Sequence, residues 1–418
     1  MSPAVLSLLA LIVALALSMT SQINVGWLAL GFAWIIGVYR ADMRPDAVMA
    51  GFPASLFLTL AGVTLLFAIA ESNGTLRALA YRAIRGARGN ARIVPIFFFV
   101  VAGAMASVGP GAISTVALLA PISMAMGRRL GLPAFLTALM IANGANAGNL
   151  SPFSSVGIIA NGAMAKAGLT GHEWRVWFAN FAAHLIVAGL AYAWFARSRT
   201  DGPAVASEDA DADRAVPFSR AQRFTLALIA AWIAGVVFFN LNLGLAAFVA
   251  ASLLLMAGAG NERMAVQAMP WGIIMMVCGV SVLIHVLEKT GGMDLFTSLL
   301  AAAASPSTVN GVIAFVTGAI STYSSTSGVV MPAFLPTAST LVSRLGGGDP
   351  LAVALSINVG SSIVDVSPLS TIGALCVAAV PEPTESRALF RQLMTWGLSM
   401  TIVGTLLCLL FAGPLARA

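Results

Sequence analysis

Apolar segments of nearly membrane-spanning length recur along the whole chain and are separated by short polar turns. Examples are PAVLSLLALIVALALS at 3–18, ASLFLTLAGVTLLFAIA at 54–70 and MTIVGTLLCLLFAG at 400–413. Each is close to the roughly 20 residues that a helix needs to cross a bilayer, or slightly shorter. Lipid offers no partner for backbone polar groups, so such segments must satisfy them internally as helices. The pattern therefore predicts an all-α integral membrane protein that crosses the membrane several times.

The chain also contains two copies of one unit. Residues 138–157 and 354–373 align without a gap, and eight of their twenty positions are identical, where chance would give roughly two. Shorter matches follow at nearly the same spacing: 23–26 with 241–244, 62–74 with 279–291, and 100–107 with 315–322. We therefore predict a first repeat at 1–196, a polar cytoplasmic linker at 197–221 and a second repeat at 222–418.

Each predicted repeat contains an apolar run that small polar residues interrupt. The interruptions are SVGPG at 107–111 and STYSSTSG at 321–328, and the arms around the first are too short to cross a bilayer separately with comfort. Glycine and proline at the first interruption reverse the chain. We predict re-entrant helical hairpins at about 93–129 and about 307–344.

A broken helix is predicted after each hairpin, at about 133–165 and about 350–380. The interruptions read NGANAGNLSP and NVGSSIVDVSP. Paired interrupted helices are the sequence feature that points best to the binding site of a secondary transporter. The alternative is that these small residues only pack helices against one another.

Charge placement differs between the two repeats. After the third predicted helix the first repeat carries a group of arginines: Arg77, Arg82, Arg85, Arg88 and Arg92. The equivalent segment 291–309 has no basic residue. Because basic loops face the cytoplasm, equivalent segments are expected on opposite sides of the membrane. The sequence thus predicts two inverted repeats of about five transmembrane helices each, with both termini outside.

Composition excludes several classes of protein. The chain is 59% hydrophobic and 9% charged, with a mean hydropathy of +0.92, which excludes a soluble domain. The net charge of +6 is attributed to cytoplasmic loops and not to a nucleic-acid partner. The three cysteines lie in apolar runs and form no metal or disulfide pattern. No Ser/His pair, paired aspartates or metalloprotease motif indicates an enzyme. The first 20 residues are interpreted as a transmembrane helix and not a signal peptide.

Several long motifs resemble those of a known family. They are INVGWLALGFAW at 23–34, AGFPASLFLTLAGVTLLFAIAESNGTL at 50–76, SVGPGAISTVALLAP at 107–121, NGANAGNLSPFSSVGIIANG at 143–162 and GHEW at 171–174. The first 190 residues or so resemble the malonate/dicarboxylate carriers often called MatC-like. The second half is similar to the wider ion transporter superfamily, which includes the divalent anion/sodium symporters.

This resemblance implies an inverted-repeat fold whose two hairpins meet near the membrane centre. It also implies a homodimer in which a transport domain moves past a scaffold, as in an elevator. In the divalent anion symporters each hairpin tip carries Ser-Asn-Thr, which binds carboxylates and sodium. The tips of this chain depart from that motif, so the location of the site is carried over but not its individual ligands.

We therefore expect a secondary transporter of a small dicarboxylate, malonate or a C4 acid, in the cytoplasmic membrane of a bacterium. Sodium is the expected coupling ion, no cofactor is expected, and lipid surrounds the protein. A proton-coupled carboxylate carrier and an ion antiporter of the same superfamily remain alternatives, and a channel or an intramembrane enzyme is disfavoured.

The predicted site residues lie at the tips and the breaks, because no Lys or Arg falls deep inside an apolar run. Predicted substrate ligands are Ser107, Gly109, Pro110, Gly111, Asn149, Ser151, Ser324, Ser325, Thr326, Ser327, Ser367 and Ser370. Predicted cation ligands are Ser107, Asn143, Asn146, Gly148, Thr322, Asn358, Ser362 and Asp365. Asp365 aligns with Asn149 and is hypothesised to bind the coupling cation; capping of a half-helix is the alternative. His184 is expected to be a packed, hydrogen-bonded residue rather than a proton relay.

Overall fold

The computed structural model describes residues 1–20, 23–85, 92–195, 217–322 and 325–417. These residues form helices and turns, and no strand occurs among them. The first half consists of α1 (Pro3–Thr20), α2 (Val25–Arg40), α3 (Pro45–Met49), α4 (Ala54–Ser72), α5 (Thr75–Arg85), α6 (Val94–Val108), α7 (Gly111–Arg129), α8 (Ala134–Gly148), α9 (Ser155–Lys166) and α10 (Glu173–Phe195).

The second half repeats this order of elements. It consists of α11 (Arg220–Phe239), α12 (Leu243–Met256), α13 (Glu262–Ala268), α14 (Trp271–Lys289), α15 (Gly292–Ala302), α16 (Val309–Ser321), α17 (Met331–Phe334), α18 (Ala338–Leu345), α19 (Pro350–Ser362), α20 (Thr371–Ala378) and α21 (Pro383–Arg417). Most of the predicted linker, residues 197–216, lies outside the described residues. α11 begins at Arg220, just inside the predicted linker.

Several helices have the length and composition of membrane spans. Within the described ranges, six are long and apolar enough to cross a bilayer: α4, α7, α10, α11, α14 and α21. Other helices, such as α2 and α12, are apolar but shorter. The predicted class, an all-α membrane protein, is confirmed. The opposite orientation of the two halves in the membrane stays a prediction.

The two halves contact each other through equivalent pairs of helices. α2 packs on α14 and α4 packs on α12, and the sequence repeat makes α12 the counterpart of α2 and α14 that of α4. Glycines allow both close approaches. A Cβ on Gly279 would lie 2.2 Å from the carbonyl oxygen of Gly26, and a Cβ on Gly62 would lie 2.3 Å from that of Gly244. This reciprocal packing supports the predicted duplication.

α6 and α7 occupy the segment of the first predicted hairpin, and α8 and α9 occupy that of the first predicted broken helix. The unwound part is shorter than the predicted interruption at 143–152, because α8 stays helical through Gly148 and Asn143 donates to the Leu139 carbonyl of its own helix. The re-entrant course of the hairpin in the membrane stays a prediction.

α6 and α7 are joined at Gly109 and Pro110, and α7 starts at Gly111 with a φ of +73°. A side chain on Gly111 would also collide with Ser155 Oγ, 2.8 Å from its Cβ. Both arms of the hairpin pack on α8. The chain is unwound between α8 and α9. The tip of the hairpin lies against this break, because the amide of Ala112 donates a hydrogen bond to Asn149.

The second hairpin is less regular than the first. Its descending arm consists of a π-helical turn (Thr326–Val330), α17, a 3-10 turn (Leu335–Thr337) and α18. Pro332 and Pro336 lie in this arm, and a proline inside a helix cannot donate the usual backbone hydrogen bond. π-helical turns occur frequently at functional sites. α16 packs on α19, as α6 packs on α8, and the second break lies between α19 and α20.

Candidate functional site

A cavity of about 430 Å³ lies where the two breaks, the second hairpin tip and the starts of α2 and α14 meet. Its lining combines aliphatic side chains with hydroxyl, amide and carboxylate groups. The lining residues are Ile23, Asn24, Val25, Ile113, Asn149, Val156, Gly272, Ile273, Met276, Ser325, Thr326, Ser327, Asp365, Leu369, Ser370, Thr371 and Ile372. No Lys, Arg or His is among the lining residues that the structure describes.

Several helical segments begin at the edge of this cavity. α2, α14, α20 and the π-helical turn all begin at lining residues or one residue away. Asn24, Ser325 and Ser370 cap three of these ends, each accepting a hydrogen bond from a backbone amide. A helix N-terminus carries a partial positive charge and unpaired N–H groups. Helix ends, and not cationic side chains, are therefore the positive electrostatic features beside the described lining of the cavity.

Asp365 is the carboxylate of the cavity, and its side chain is held by the second hairpin tip. Thr326 Oγ1 donates a hydrogen bond to Asp365 Oδ1 over 2.7 Å, and the same hydroxyl lies 3.3 Å from the carbonyl oxygen of Ser361. Ser321 contacts Thr326 through its hydroxyl. The residue that caps α20 is Ser370, not Asp365, so helix capping does not explain the carboxylate. Oxygen atoms from three segments thus converge beside the Asp365 carboxyl group.

Asn149 occupies the equivalent place at the first break. Its Oδ1 accepts a hydrogen bond from the backbone amide of Ala112 at the start of α7, over 2.9 Å. Ser154 donates to the carbonyl oxygen of Asn149, as Ser370 does to that of Asp365. The two breaks therefore have the same local geometry with an amide in one and a carboxylate in the other. Because Oδ1 is already engaged, Nδ2 is the end of Asn149 that can serve a ligand.

The structure brings some of the predicted substrate ligands together at the cavity and leaves others away from it. Those that line it are Asn149, Ser325, Thr326, Ser327 and Ser370. Those that are not lining residues are Ser107, Gly109, Pro110, Gly111, Ser151 and Ser367. Ser324 lies outside the described residues.

The predicted substrate ligands that do not line the cavity have structural contacts instead. Ser151 and Ser367 accept hydrogen bonds from backbone amides two residues ahead, so each shapes its own break. Gly109 packs on Phe67, and Pro110 lines a separate apolar cavity. From the first hairpin, Ile113 of α7, just beyond the tip, lines the main cavity.

Most predicted cation ligands lie on the buried faces of the broken helices. Thr322 and Asn358 donate hydrogen bonds to backbone carbonyls of their own helices. Ser107 and Gly148 lie against each other, since a Cβ on Gly148 would be 2.7 Å from Ser107 Oγ. Asp365 alone among this predicted set lines the cavity.

The other three predicted cation ligands contact a polar pair on α10. Asn143 Oδ1 lies 3.0 Å from His184 Nδ1, while Asn146 and Ser362 both contact Asn180. His184 and Asn180 are completely buried. α10 thus engages the Asn143 side chain, the backbone carbonyl of Asn146 and the Ser362 hydroxyl, whereas the buried side-chain amide of Asn146 has no hydrogen-bond partner.

Two polar residues in or near the site, Asn24 and Asn180, are not among the ligands predicted from the sequence. Asn24 lines the cavity, caps α2 and donates a hydrogen bond to the carbonyl oxygen of Gly272 over 2.7 Å. The repeated Asn of INVG and LNLG marks it, because Asn242 caps α12 in the same way. Asn180 has no counterpart in the repeat motifs, and a single buried Asn within a long apolar helix gives no pattern that would identify it.

Residues 1–149 match the family described as "Dicarboxylate carrier protein MatC N-terminus". No curated protein matches the chain. The fold is similar to that of the YdaH transporter from Alcanivorax borkumensis, with a TM-score of 0.61 and 16% identity over 99% of this chain and 98% of that chain. It is also similar to MtrF from Neisseria gonorrhoeae, which belongs to a class of antimetabolite efflux pumps, with a TM-score of 0.59 and 14% identity over 98% of this chain and 95% of that chain. At these identities the likeness concerns the fold alone. The match over residues 1–149 confirms the predicted resemblance to the MatC-like dicarboxylate carriers. The chain is thus a membrane transporter and not an enzyme.

Proposed function

We propose that this transporter carries a small dicarboxylate, malonate or a C4 acid, by cation-coupled symport with sodium as the coupling ion. The observation that carries the proposal is the cavity between the two breaks, where four helical segments begin and where Asp365 is the one acidic residue among the described lining residues. The family match over the first 149 residues supports the dicarboxylate as the substrate class.

The size and lining of the cavity suit a small dianion. Its volume of about 430 Å³ falls in the range of pockets for small molecules, roughly 300–1,000 Å³. One carboxylate would be bound by the amides and hydroxyls at the start of α20 and of the π-helical turn. The other would reach Asn149 Nδ2 and the start of α2. Aliphatic side chains such as Ile273 and Ile372 would contact the carbon chain between them.

The coupling cation is assigned to the neighbourhood of Asp365. A carboxylate beside a bound dianion would repel it unless a cation or a proton neutralises the carboxylate. With no Lys or Arg among the described lining residues, the neutralising charge must come from solution. Sodium prefers oxygen ligands of the kind that Asp365, Thr326 and the carbonyl of Ser361 provide. Cation binding would then strengthen dicarboxylate binding, and this coupling between the two ligands is what symport requires.

Transport by alternating access would follow from the two equivalent halves. The reciprocal packing of α2 on α14 and of α4 on α12 fits a two-fold relation between the halves, and the arginine group at 77–92, which has no counterpart in the second half, favours the inverted arrangement. Inverted repeats can exchange conformations, so that the binding site opens to one side of the membrane and then to the other. An elevator movement, a homodimer and the bacterial cytoplasmic membrane are part of the proposal through the family resemblance.

A proton-coupled carboxylate carrier is the second candidate. The observation that favours it is again Asp365, because a protonated carboxyl group would also remove the repulsion and could keep its contact with Thr326. The two candidates differ in which cation strengthens substrate binding.

Calorimetry on the purified transporter tests the proposal and separates the two candidates. Malonate, succinate and acetate would be titrated in NaCl, in choline chloride and at two pH values. We expect both dicarboxylates to bind, acetate to bind much more weakly, and sodium to strengthen binding at constant pH. Binding that depends on pH and not on sodium would favour the proton-coupled carrier. Absence of dicarboxylate binding under every condition would overturn the proposal.

A further inference from the structure

A single buried side chain on α10 contacts both broken helices. Asn180 Nδ2 donates a hydrogen bond to the backbone carbonyl of Asn146 on α8 over 2.7 Å. Ser362 Oγ on α19 donates to Asn180 Oδ1 over 2.6 Å. We call Asn146, Asn180 and Ser362 the Asn180 bridge. The side-chain amide of Asn180 donates to α8 of the first half through Nδ2 and accepts from α19 of the second half through Oδ1.

The two ends of the bridge are equivalent positions of the repeat. In the gapless alignment of 138–157 with 354–373, Asn146 aligns with Ser362. Each lies three residues before a polar residue of the cavity, Asn149 in one half and Asp365 in the other. The backbone amides of Asn149 and Asp365 donate to the carbonyls of Asn146 and Ser362, both over 3.1 Å. In each half, Asn180 therefore contacts the residue whose backbone carbonyl accepts a hydrogen bond from the polar cavity residue at the break.

The orientation of the Asn180 amide is fixed by its partners. A carbonyl oxygen can only accept, so Nδ2 must face Asn146, and the Ser362 hydroxyl then has Oδ1 to donate to. Asn180, Asn146 and Ser362 are all at most 1% exposed, so no bulk water can replace a lost partner. A buried polar group without a partner is costly, and a movement of either break away from α10 would leave Asn180 in that state. The two breaks are thus held at a fixed separation.

A second contact of α10 is confined to the first half. His184, one turn after Asn180, places Nδ1 3.0 Å from Asn143 Oδ1. Asn143 Nδ2 donates to the carbonyl of Leu139, so its Oδ1 must accept from the imidazole. Side chains of α10 therefore bond to α8 at two points. Among the described residues, the bond from the Ser362 hydroxyl to Asn180 is the side-chain hydrogen bond between α10 and α19.

We propose that Asn180 is a positioning residue that couples the dicarboxylate end of the cavity to its cation end. Cation binding at Asp365 orders the second break, the Asn180 bridge transmits that order to the first break, and Asn149 is thereby held ready for the substrate. This inference rests on the proposed function for its ligands, but the mechanical link between the breaks does not depend on which ligands bind.

The first test measures coupling between the ligands. Malonate affinity is determined by calorimetry in NaCl and in choline chloride for the wild type, Asn180→Ala and Ser362→Ala. The ratio of the two dissociation constants is the sodium factor. We expect the sodium factor of each variant to be about threefold to tenfold smaller than that of the wild type. The double variant should lose no more than Asn180→Ala alone, because both substitutions remove the same link.

Asn73→Ala is the matched control for this experiment. Asn73 also joins helices through its amide, to Thr225 and to the carbonyl of Ala259, but it touches neither break. It should lower thermal stability while keeping the wild-type sodium factor. An Asn180→Ala protein that is folded and has the wild-type factor would overturn the coupling proposal while leaving the proposed function intact.

The second test needs no substrate and therefore remains decisive if malonate does not bind. Hydrogen–deuterium exchange would be measured without ligand on peptides that contain 146–155 and 362–371. We expect exchange at both breaks to accelerate together in Asn180→Ala, and at the second break more than the first in Ser362→Ala. Asn73→Ala should leave both unchanged. If Asn180→Ala proves too unstable to purify, Ser362→Ala decides alone, and unchanged exchange at the second break would overturn the proposal.

Discussion

Replacing Asp365 by Asn removes the negative charge of the cavity and little else. An amide at this position can still accept the hydrogen bond that Thr326 donates to Oδ1. The equivalent residue of the first half is already an amide, Asn149, in the same backbone geometry. We therefore expect Asp365→Asn to insert and fold normally, so that any change in transport reflects the charge itself.

The expected effect on the coupling cation is large. Two unit charges 4 Å apart interact by about 4 kcal/mol at an effective dielectric constant of 20, and every 1.4 kcal/mol or so corresponds to a factor of ten in affinity. Allowing for partial solvation, the sodium concentration for half-maximal malonate uptake should rise by roughly two orders of magnitude. Within an accessible range of salt, uptake by the variant would no longer depend on sodium.

The assay is malonate uptake into proteoliposomes over a series of sodium concentrations, with Asp349→Asn as the control. Asp349 begins the same broken helix and caps α19 through Leu351 and Ala352, a role that Asn fulfils equally well. It should keep the wild-type sodium dependence. Wild-type sodium dependence in a normally assembled Asp365→Asn protein would refute the assignment of the cation to this carboxylate.

Three further predictions concern the hairpin tip, the topology and the packing between the halves. Thr326→Val removes the hydroxyl that donates to Asp365. A hydrogen bond to a charged group contributes about 1.5–3 kcal/mol, so its loss should weaken sodium-dependent malonate uptake about tenfold or more. Unchanged uptake kinetics would contradict this role of Thr326. In a background without cysteine, Arg77→Cys should react with an impermeant thiol reagent only from the cytoplasmic side and Ala303→Cys only from the outside; labelling of both from one side would end the inverted-repeat interpretation. Gly279→Ala places a methyl group 2.2 Å from a backbone oxygen and should lower the melting temperature in detergent by several degrees, whereas Gly189→Ala, with open space around it, should leave it unchanged or raise it slightly.

The elements of the fold could be predicted because lipid restricts what a chain can do. Long apolar runs must be helices, and interruptions by Gly, Pro, Asn and Ser end them, so α8 and α9 are separated at the predicted break. The internal repeat then identified Asn149 and Asp365 as equivalent residues without any structure. Both line the cavity.

The contacts between distant segments could not be predicted in the same way. Nothing in the sequence indicates that the first hairpin tip packs on Phe67 and stays away from most of the cavity, because that depends on how the hairpin meets α4. Asn180 was missed for a similar reason. Its importance comes from two partners, Asn146 and Ser362, which are far away in sequence and next to it only in the folded protein.

Uptake of labelled malonate and succinate into proteoliposomes, with and without an inward sodium gradient, tests the central claim most directly. We expect at least one of the two acids to accumulate above equilibrium when sodium is higher outside, and we expect this accumulation to disappear when the gradient is abolished. Competition by unlabelled dicarboxylate but not by acetate is also expected. Neither acid accumulating under a sodium or a proton gradient, with protein that is folded and inserted, would contradict the claim.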